Sequence, residues 1–190
     1  MSGHLKDASL LMIPSGYKAS KLYSVNPIDG SGDLNFARSS VGTRVNDSGI
    51  VETIAIDTPR IDYTGSDCGK LLIEPQRTNL YLNSGTLTTQ NTTTSATKYA
   101  VSFYGTGTIV FTGTYSGSLV GTGNSERVTL VFTATAGTLT STTSGTVTNG
   151  QLEASTFPSS YIPTSGTTAT RTQDLSQTTS SNIAAAINGE

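Results

Sequence analysis

Tryptophan is absent from this chain, and cysteine and histidine occur once each. A lone Cys68 excludes an internal disulfide; it reads as a small, semi-buried side chain after the Gly65-Ser66-Asp67 turn. With His4 the only histidine, neither a Cys/His metal cluster nor a Cys–His nucleophile has the side chains it requires. No metal and no cofactor are therefore expected. Charge is also scarce: 11 basic and 13 acidic residues leave a net −2 and a pI near 5.3. The basic residues are scattered, so no stripe follows a phosphate backbone and no nucleic-acid partner is expected. Long apolar runs are missing as well. Leu10–Ile13 is four residues long and stops at Pro14, against the roughly 20 apolar residues that span a bilayer. Membrane insertion is not expected, and the n-region and h-region of a signal peptide are not seen.

What fills the gap is serine and threonine, nearly a third of all positions, together with 20 glycines. Threonine, valine and isoleucine favour pleated backbone, and low net charge separates this composition from a disordered chain. Helical periodicity is missing throughout. The reading is a mainly β protein with polar, turn-rich surfaces. Its apolar content is thin for 190 residues, which makes burial against further copies of the chain an expectation.

Along the chain, residues 1–33 read as a docking segment and 34–83 as a short-strand oligomerisation region. Residues 84–163 read as an antiparallel β-sandwich of jelly-roll type, and 164–190 as a linker toward a further domain. In the first half, Pro14-Ser15-Gly16 is read as a turn. Strands are expected at Leu34–Arg38, Thr43–Asn46, Ile50–Ile56, Arg60–Tyr63 and Lys70–Glu74, with a hairpin across Asp47-Ser48-Gly49. Residues 84–97 are either a connector or a polar strand. Beyond them, Tyr99–Tyr104, Thr108–Thr112, Tyr115–Val120, Arg127–Ala134, Thr138–Thr143 and Gly145–Leu152 alternate, with glycine turns between. Ile109 and Phe111 share one face, as do Val128, Leu130 and Phe132, with Val110 and Val131 opposite. Asn182–Ile187 is the one helix-friendly run, too short to stand as a helix.

Three stretches resemble a module of tailed-bacteriophage head and tail fibre proteins. They are Arg38-Ser39-Ser40-Val41-Gly42-Thr43-Arg44-Val45-Asn46 with Pro59–Tyr63, Leu71–Leu80, and Gln151–Gly166 with its exit at Thr170–Asp174. The resemblance covers most of residues 34–175. It implies a virion structural protein at the capsid or tail surface, with other virion proteins as partners, and often a downstream lectin-like jelly roll. This sequence departs from that pattern in lacking the sandwich tryptophan. The chain is read as the base or stalk of a fibre, with receptor binding elsewhere.

Candidate site residues follow from chemistry and spacing. Arg60, Asp62, Glu74 and Arg77 place arginine forks near carboxylates. They either fix a homo-oligomer, expected to be a trimer, or pair within one chain. Leu10, Leu11 and Ile13 either add a strand to a particle protein or pair within their own domain. Tyr104 and Tyr115, with Asn124 nearby, are the aromatic and amide groups that would contact a host-surface glycan, or else the tyrosines cap the core. An enzyme is not expected. Glycosidase chemistry needs two carboxyls about 5–10 Å apart in a cleft, and the sandwich region offers Glu126 and Glu153 alone. Asp57, Asp62, Asp67 and Glu74 sit beside turns or basic residues. The Gly105-Thr106-Gly107 turn lacks the helix a phosphate loop opens.

Overall fold

In the computed structural model, residues 10–26 and 28–177 are described. Every regular element among them is a strand, and every pairing is antiparallel. The expected mainly β class is what the chain adopts. Its helix-friendly run at 182–187 and its histidine lie outside the described residues.

The chain forms two compact units, one from residues 1–75 with 172–190 and one from residues 76–171. The first holds a four-stranded sheet in the order β1 (Leu11–Lys18), β2 (Lys21–Asn26), β3 (Leu34–Ala37), β17 (Leu175–Gln177). Two hairpin-like pairs accompany it, β4 (Gly42–Val45) with β5 (Val51–Ile54), and β6 (Arg60–Asp62) with β7 (Lys70–Leu72). The β4–β5 turn is legible residue by residue. The Asn46 side-chain oxygen accepts the backbone N–H groups of Ser48 and Ile50. Gly49 supplies the left-handed φ of 77° that this turn requires. One expectation is corrected: β1 runs through Pro14-Ser15-Gly16 rather than turning there. Its pairing with β2 shifts register between Met12 and Tyr17. Proline has no N–H to give a ladder, so it is accommodated at an irregularity on an edge strand.

The second unit holds two larger sheets. One is β13 (Gly123–Thr133), β10 (Lys98–Gly105), β15 (Thr148–Glu153); the other is β12 (Gly117–Val120), β11 (Thr108–Gly113), β14 (Gly137–Ser144), β9 (Gln90–Thr94). Both contribute to a single apolar cluster that includes Tyr81, Val101, Phe103, Ile109, Phe111, Phe132, Leu139 and Leu152. Burying each aliphatic or phenyl side chain contributes about 1.5–3 kcal/mol. The alternation expected in β11 and β13 is observed, since Ile109, Phe111 and Phe132 are buried while Val110 and Val131 are exposed. The Thr-rich stretch before Lys98 contains a strand, β9, whose Thr94 hydroxyl bonds Thr114 Oγ1 at 2.8 Å. Tyr115, expected to open a strand, lies in the turn before β12 and stacks on Phe132 with centroids 4.1 Å apart. At Gly105, with φ of 129°, an added Cβ would meet the Thr146 carbonyl oxygen at 2.1 Å, so only glycine fits.

Residues 164–177, expected in a linker, contain β16 (Ala169–Arg171) and β17. β16 pairs with β8 (Arg77–Asn79) in the second unit, and β17 pairs with β3 in the first.

Candidate functional site

In the first unit, two arginines with fully buried side chains converge on one carboxylate. Arg38 Nη1 donates to Asp174 Oδ1 at 3.0 Å, and Arg60 Nη2 donates to Asp174 Oδ2 and, at 2.9 Å, to Glu74 Oε2. Glu74 and Asp174 exchange a further pair of bonds: the Glu74 backbone N–H donates to the Asp174 carboxylate Oδ2, and the Asp174 backbone N–H donates to the Glu74 carbonyl, both at 2.9 Å. Arg38 also donates to the carbonyls of Ser40, Ala55 and Thr58, and Arg60 to that of Thr43. Gly42 permits this packing, because a Cβ there would stand 3.1 Å from Arg38 Nε and from Arg60 Cδ. Burial pushes the Arg38 guanidinium below its ordinary pKa, and its bond to Asp174 opposes that shift. The arrangement is a clamp on four chain segments rather than an open reaction centre.

Sequence reasoning named Arg60 and Glu74 here and missed Arg38 and Asp174. Asp174 lies 100 residues beyond Glu74, and no local periodicity announces so distant a partner. Asp62, also named, is spent locally: its carboxylate accepts the N–H groups of Val45 and Thr64. Leu11 pairs with Asn26 in the β1–β2 ladder, while Leu10 and Ile13 stay exposed at 48% and 50%. Cys68, expected to be semi-buried, is exposed. The turn it follows leaves it at the surface.

The second unit has its own polar interior. In β15, Leu152 points into the apolar core, so Gln151 and Glu153 occupy the opposite face of the sheet. Both are fully buried there, beneath residues 154–162. Glu153 accepts from Gln151 Nε2, Ser159 N–H and Ser159 Oγ at 2.8, 2.6 and 2.8 Å. Gln151 Oε1 accepts the Ile162 N–H, and Arg127 ties the Ser159 carbonyl to the Ser102 hydroxyl. Asn79, also fully buried, donates to the carbonyls of Gly150 and Ile162 and accepts the N–H groups of Tyr81 and Leu152. These bonds explain why the stretch from Gln151 to Ile162 combines amide, carboxylate and serine at such spacing. Tyr161 donates to or accepts from Ser84 Oγ at 2.7 Å, and Tyr81 is bonded likewise to Ser141 Oγ at 3.0 Å.

Burial raises the pKa of both phenols above the ordinary 10.0, with their serine partners opposing the shift. A raised folded-state value means the stabilising contribution is complete below about pH 10 and is lost as pH climbs above it. Alkaline titration is therefore expected to show Tyr81 ionising only together with unfolding, and Tyr161 ionising above the range of exposed tyrosines. Tyrosinate absorbance followed against circular dichroism checks this, and Tyr161→Phe should remove one of the late phenols.

At the surface of this unit, Gln76, Arg77, Thr78, Leu80 and Ala154 line a cavity of about 190 Å³ that is open on one side. Arg77 Nη1 donates to the Gln76 carbonyl at 2.9 Å, and its guanidinium lies over the Phe157 ring, 5.2 Å from the centroid. Its Nε stands 3.9 Å from Glu153 Oε2, an ion pair beyond hydrogen-bond reach.

The three residues named for glycan contact do not form one site. Tyr104 is buried and lies across from Arg127 in the β10–β13 ladder. Tyr115 stacks on Phe132, which lies across from Tyr99. Five residues of strand separate the two ladder positions, about 17 Å at 3.4 Å per residue. Asn124 is exposed on β13, near the Tyr104 end. Of the two carboxylates in this unit, Glu126 is exposed and Glu153 is enclosed by the donors above. Among the described residues, no group of three or more His, Cys, Asp or Glu side chains is placed to hold a metal ion.

Searches against protein-family models, curated proteins and solved structures find no match to this chain.

Proposed function

We propose that this protein is a non-enzymatic structural component of a virus particle, the base or stalk of a phage head or tail fibre. It anchors to capsid or tail proteins and displays a distal host-binding part. The resemblance at Arg38–Asn46, Leu71–Leu80 and Gln151–Gly166 suggests the class, and one structural observation carries the role. The first unit fully buries Leu22, Phe36 and Ile61, yet leaves Ile28 at 91% exposure, Ile50 at 61%, Ile56 at 54% and Val41 at 52%. These exposed aliphatic side chains supply apolar area that contact with another copy of the chain would remove from water. Self-association around a three-fold axis would bury them against symmetry-related copies. Among the described residues, no further strand pairs with the outer edges of β1 and β17, a second feature suited to assembly.

Carbohydrate binding is the second reading. It draws less support from Tyr104, Tyr115 and Asn124, because the tyrosines lie far apart and Tyr104 is buried.

Sedimentation of the purified chain at micromolar concentration is expected to show a stable trimer. Replacing Val41, Ile50 and Ile56 together by serine should yield a folded monomer, since exposed positions contribute little to the fold of one chain. A wild-type monomer would sink the proposed role. Labelling of purified particles with an antibody to this chain then distinguishes capsid from tail.

A further inference from the structure

The cleft at Arg77 has the features of a ligand site, and its chemistry differs from that of the glycan contacts read in the sequence. Residues 76–171 carry four basic residues, Arg77, Lys98, Arg127 and Arg171, against two acidic ones, Glu126 and Glu153. Three of those cations gather near Glu153: Arg77 is its ion-pair partner, Arg171 lies across from Arg77 in the β8–β16 ladder, and Arg127 shares Ser159 with it. Glu153 is already saturated by donors from Gln151 and Ser159. Within residues 76–171, basic side chains therefore outnumber carboxylates four to two.

Arg77 is also under-used. A guanidinium has five N–H donors, of which one serves the Gln76 carbonyl, and the buried Nε has no hydrogen-bond partner. Its side chain is 23% exposed at the cavity lined by Gln76, Thr78, Leu80 and Ala154. Beside it, Phe157 remains 47% exposed even with the guanidinium over the ring. Thr78 and Thr170 hydroxyls pair at 2.7 Å on the neighbouring strand surface. The pocket itself presents the Arg77 fork, the Gln76 amide and the Thr78 hydroxyl, and the exposed Phe157 ring adjoins it through Arg77, a set suited to an anionic, hydroxylated ring. At about 190 Å³ the cavity falls short of the roughly 300–1,000 Å³ that holds drug-sized ligands, so it admits one small ring.

We propose that this cleft binds the carboxylate-bearing sugar of an acidic glycan. The carboxylate takes the free edge of the Arg77 guanidinium, and the sugar ring lies against Phe157 with its hydroxyls toward Gln76 and Thr78. The proposal does not depend on the oligomeric state of the chain.

Titrating the full-length, isotope-labelled chain with glucuronate, N-acetylneuraminate, glucose and acetate tests it by NMR. A carboxylated sugar is expected to shift the amides of residues 76–80 and 154–157. Glucose and acetate should each bind about tenfold more weakly or worse, as expected when a charged hydrogen bond or the ring contact is lost. Arg77→Gln should weaken the acidic sugar by a similar factor, about tenfold, with Arg77→Lys in between. Phe157→Leu, at an exposed position that leaves the fold intact, should weaken it several-fold. Acetate binding as tightly as the acidic sugar would mean a simple anion site and overturn the proposal. So would shifts that map elsewhere, or affinity unchanged in Phe157→Leu.

Discussion

Replacing Asp174 by alanine is expected to destabilise the first unit by roughly 3–5 kcal/mol, a large part of the 5–15 kcal/mol that holds a typical domain together. The substitution leaves two arginines with fully buried side chains without their shared carboxylate, and it frees the Glu74 N–H. A buried cation cannot recover its lost partner from water, so removing one member costs far more than the intact pair contributes. Contrast Arg44 and Glu52, joined at 2.6 Å with side chains 20% and 36% exposed. Breaking that surface pair should change stability by about 1 kcal/mol or less. Urea unfolding followed by circular dichroism separates the two cases. A midpoint for Asp174→Ala equal to that of the exposed control Asp67→Ala would show that the clamp does not hold the unit. In a double-mutant cycle, Arg38→Ala with Asp174→Ala should cost less than the sum of the two single changes, because both act on one network.

The second large effect is expected at Asn79. Its amide donates twice and its oxygen accepts twice, at 2.8–3.2 Å, with no surface exposed. All four partners are backbone groups, drawn from Tyr81, Gly150, Leu152 and Ile162. Asn79→Ala leaves them inside the protein without partners, at about 1–3 kcal/mol for each group that water does not reach. A loss of roughly 4 kcal/mol or more follows. Hydrogen exchange at the Tyr81 and Leu152 amides should accelerate by a comparable factor. Thr78→Ala, one residue away but at the surface, is the control, with an expected change of about 1 kcal/mol or less. Protection of both amides undiminished in Asn79→Ala would refute the assignment.

Much of the fold was legible because its signals are local. The Asn46–Ile50 turn follows from asparagine and glycine chemistry over five residues. Strand faces in β11 and β13 follow from a period of two, and the apolar side of each enters the core. β9 was only half legible, because a run of threonines between strands has no apolar face to mark its buried side. Of the two roles open to Arg60 and Glu74, pairing within one chain is observed, at 2.9 Å; the burial of Arg60 and the cleft at Arg77 have no local signal. Arg60 is enclosed within its own unit, and Arg77 sits at a cleft beside Phe157.

Scarce cysteine, histidine and charge, together with abundant β-branched residues and no helical period, determined the class of structure in the sequence. With no disulfide, no helical period and abundant β-branched residues, such a chain satisfies its backbone through antiparallel ladders joined at glycine and asparagine turns. What only the tertiary structure decided is how the few charges are used. Arg38, Arg60, Asp174 and Glu153 are buried and matched by partners up to 136 residues away in the chain. Spacing along a sequence cannot show such pairs, because electrostatic and hydrogen-bond energies depend on separation in space, which the strand pairings alone determine.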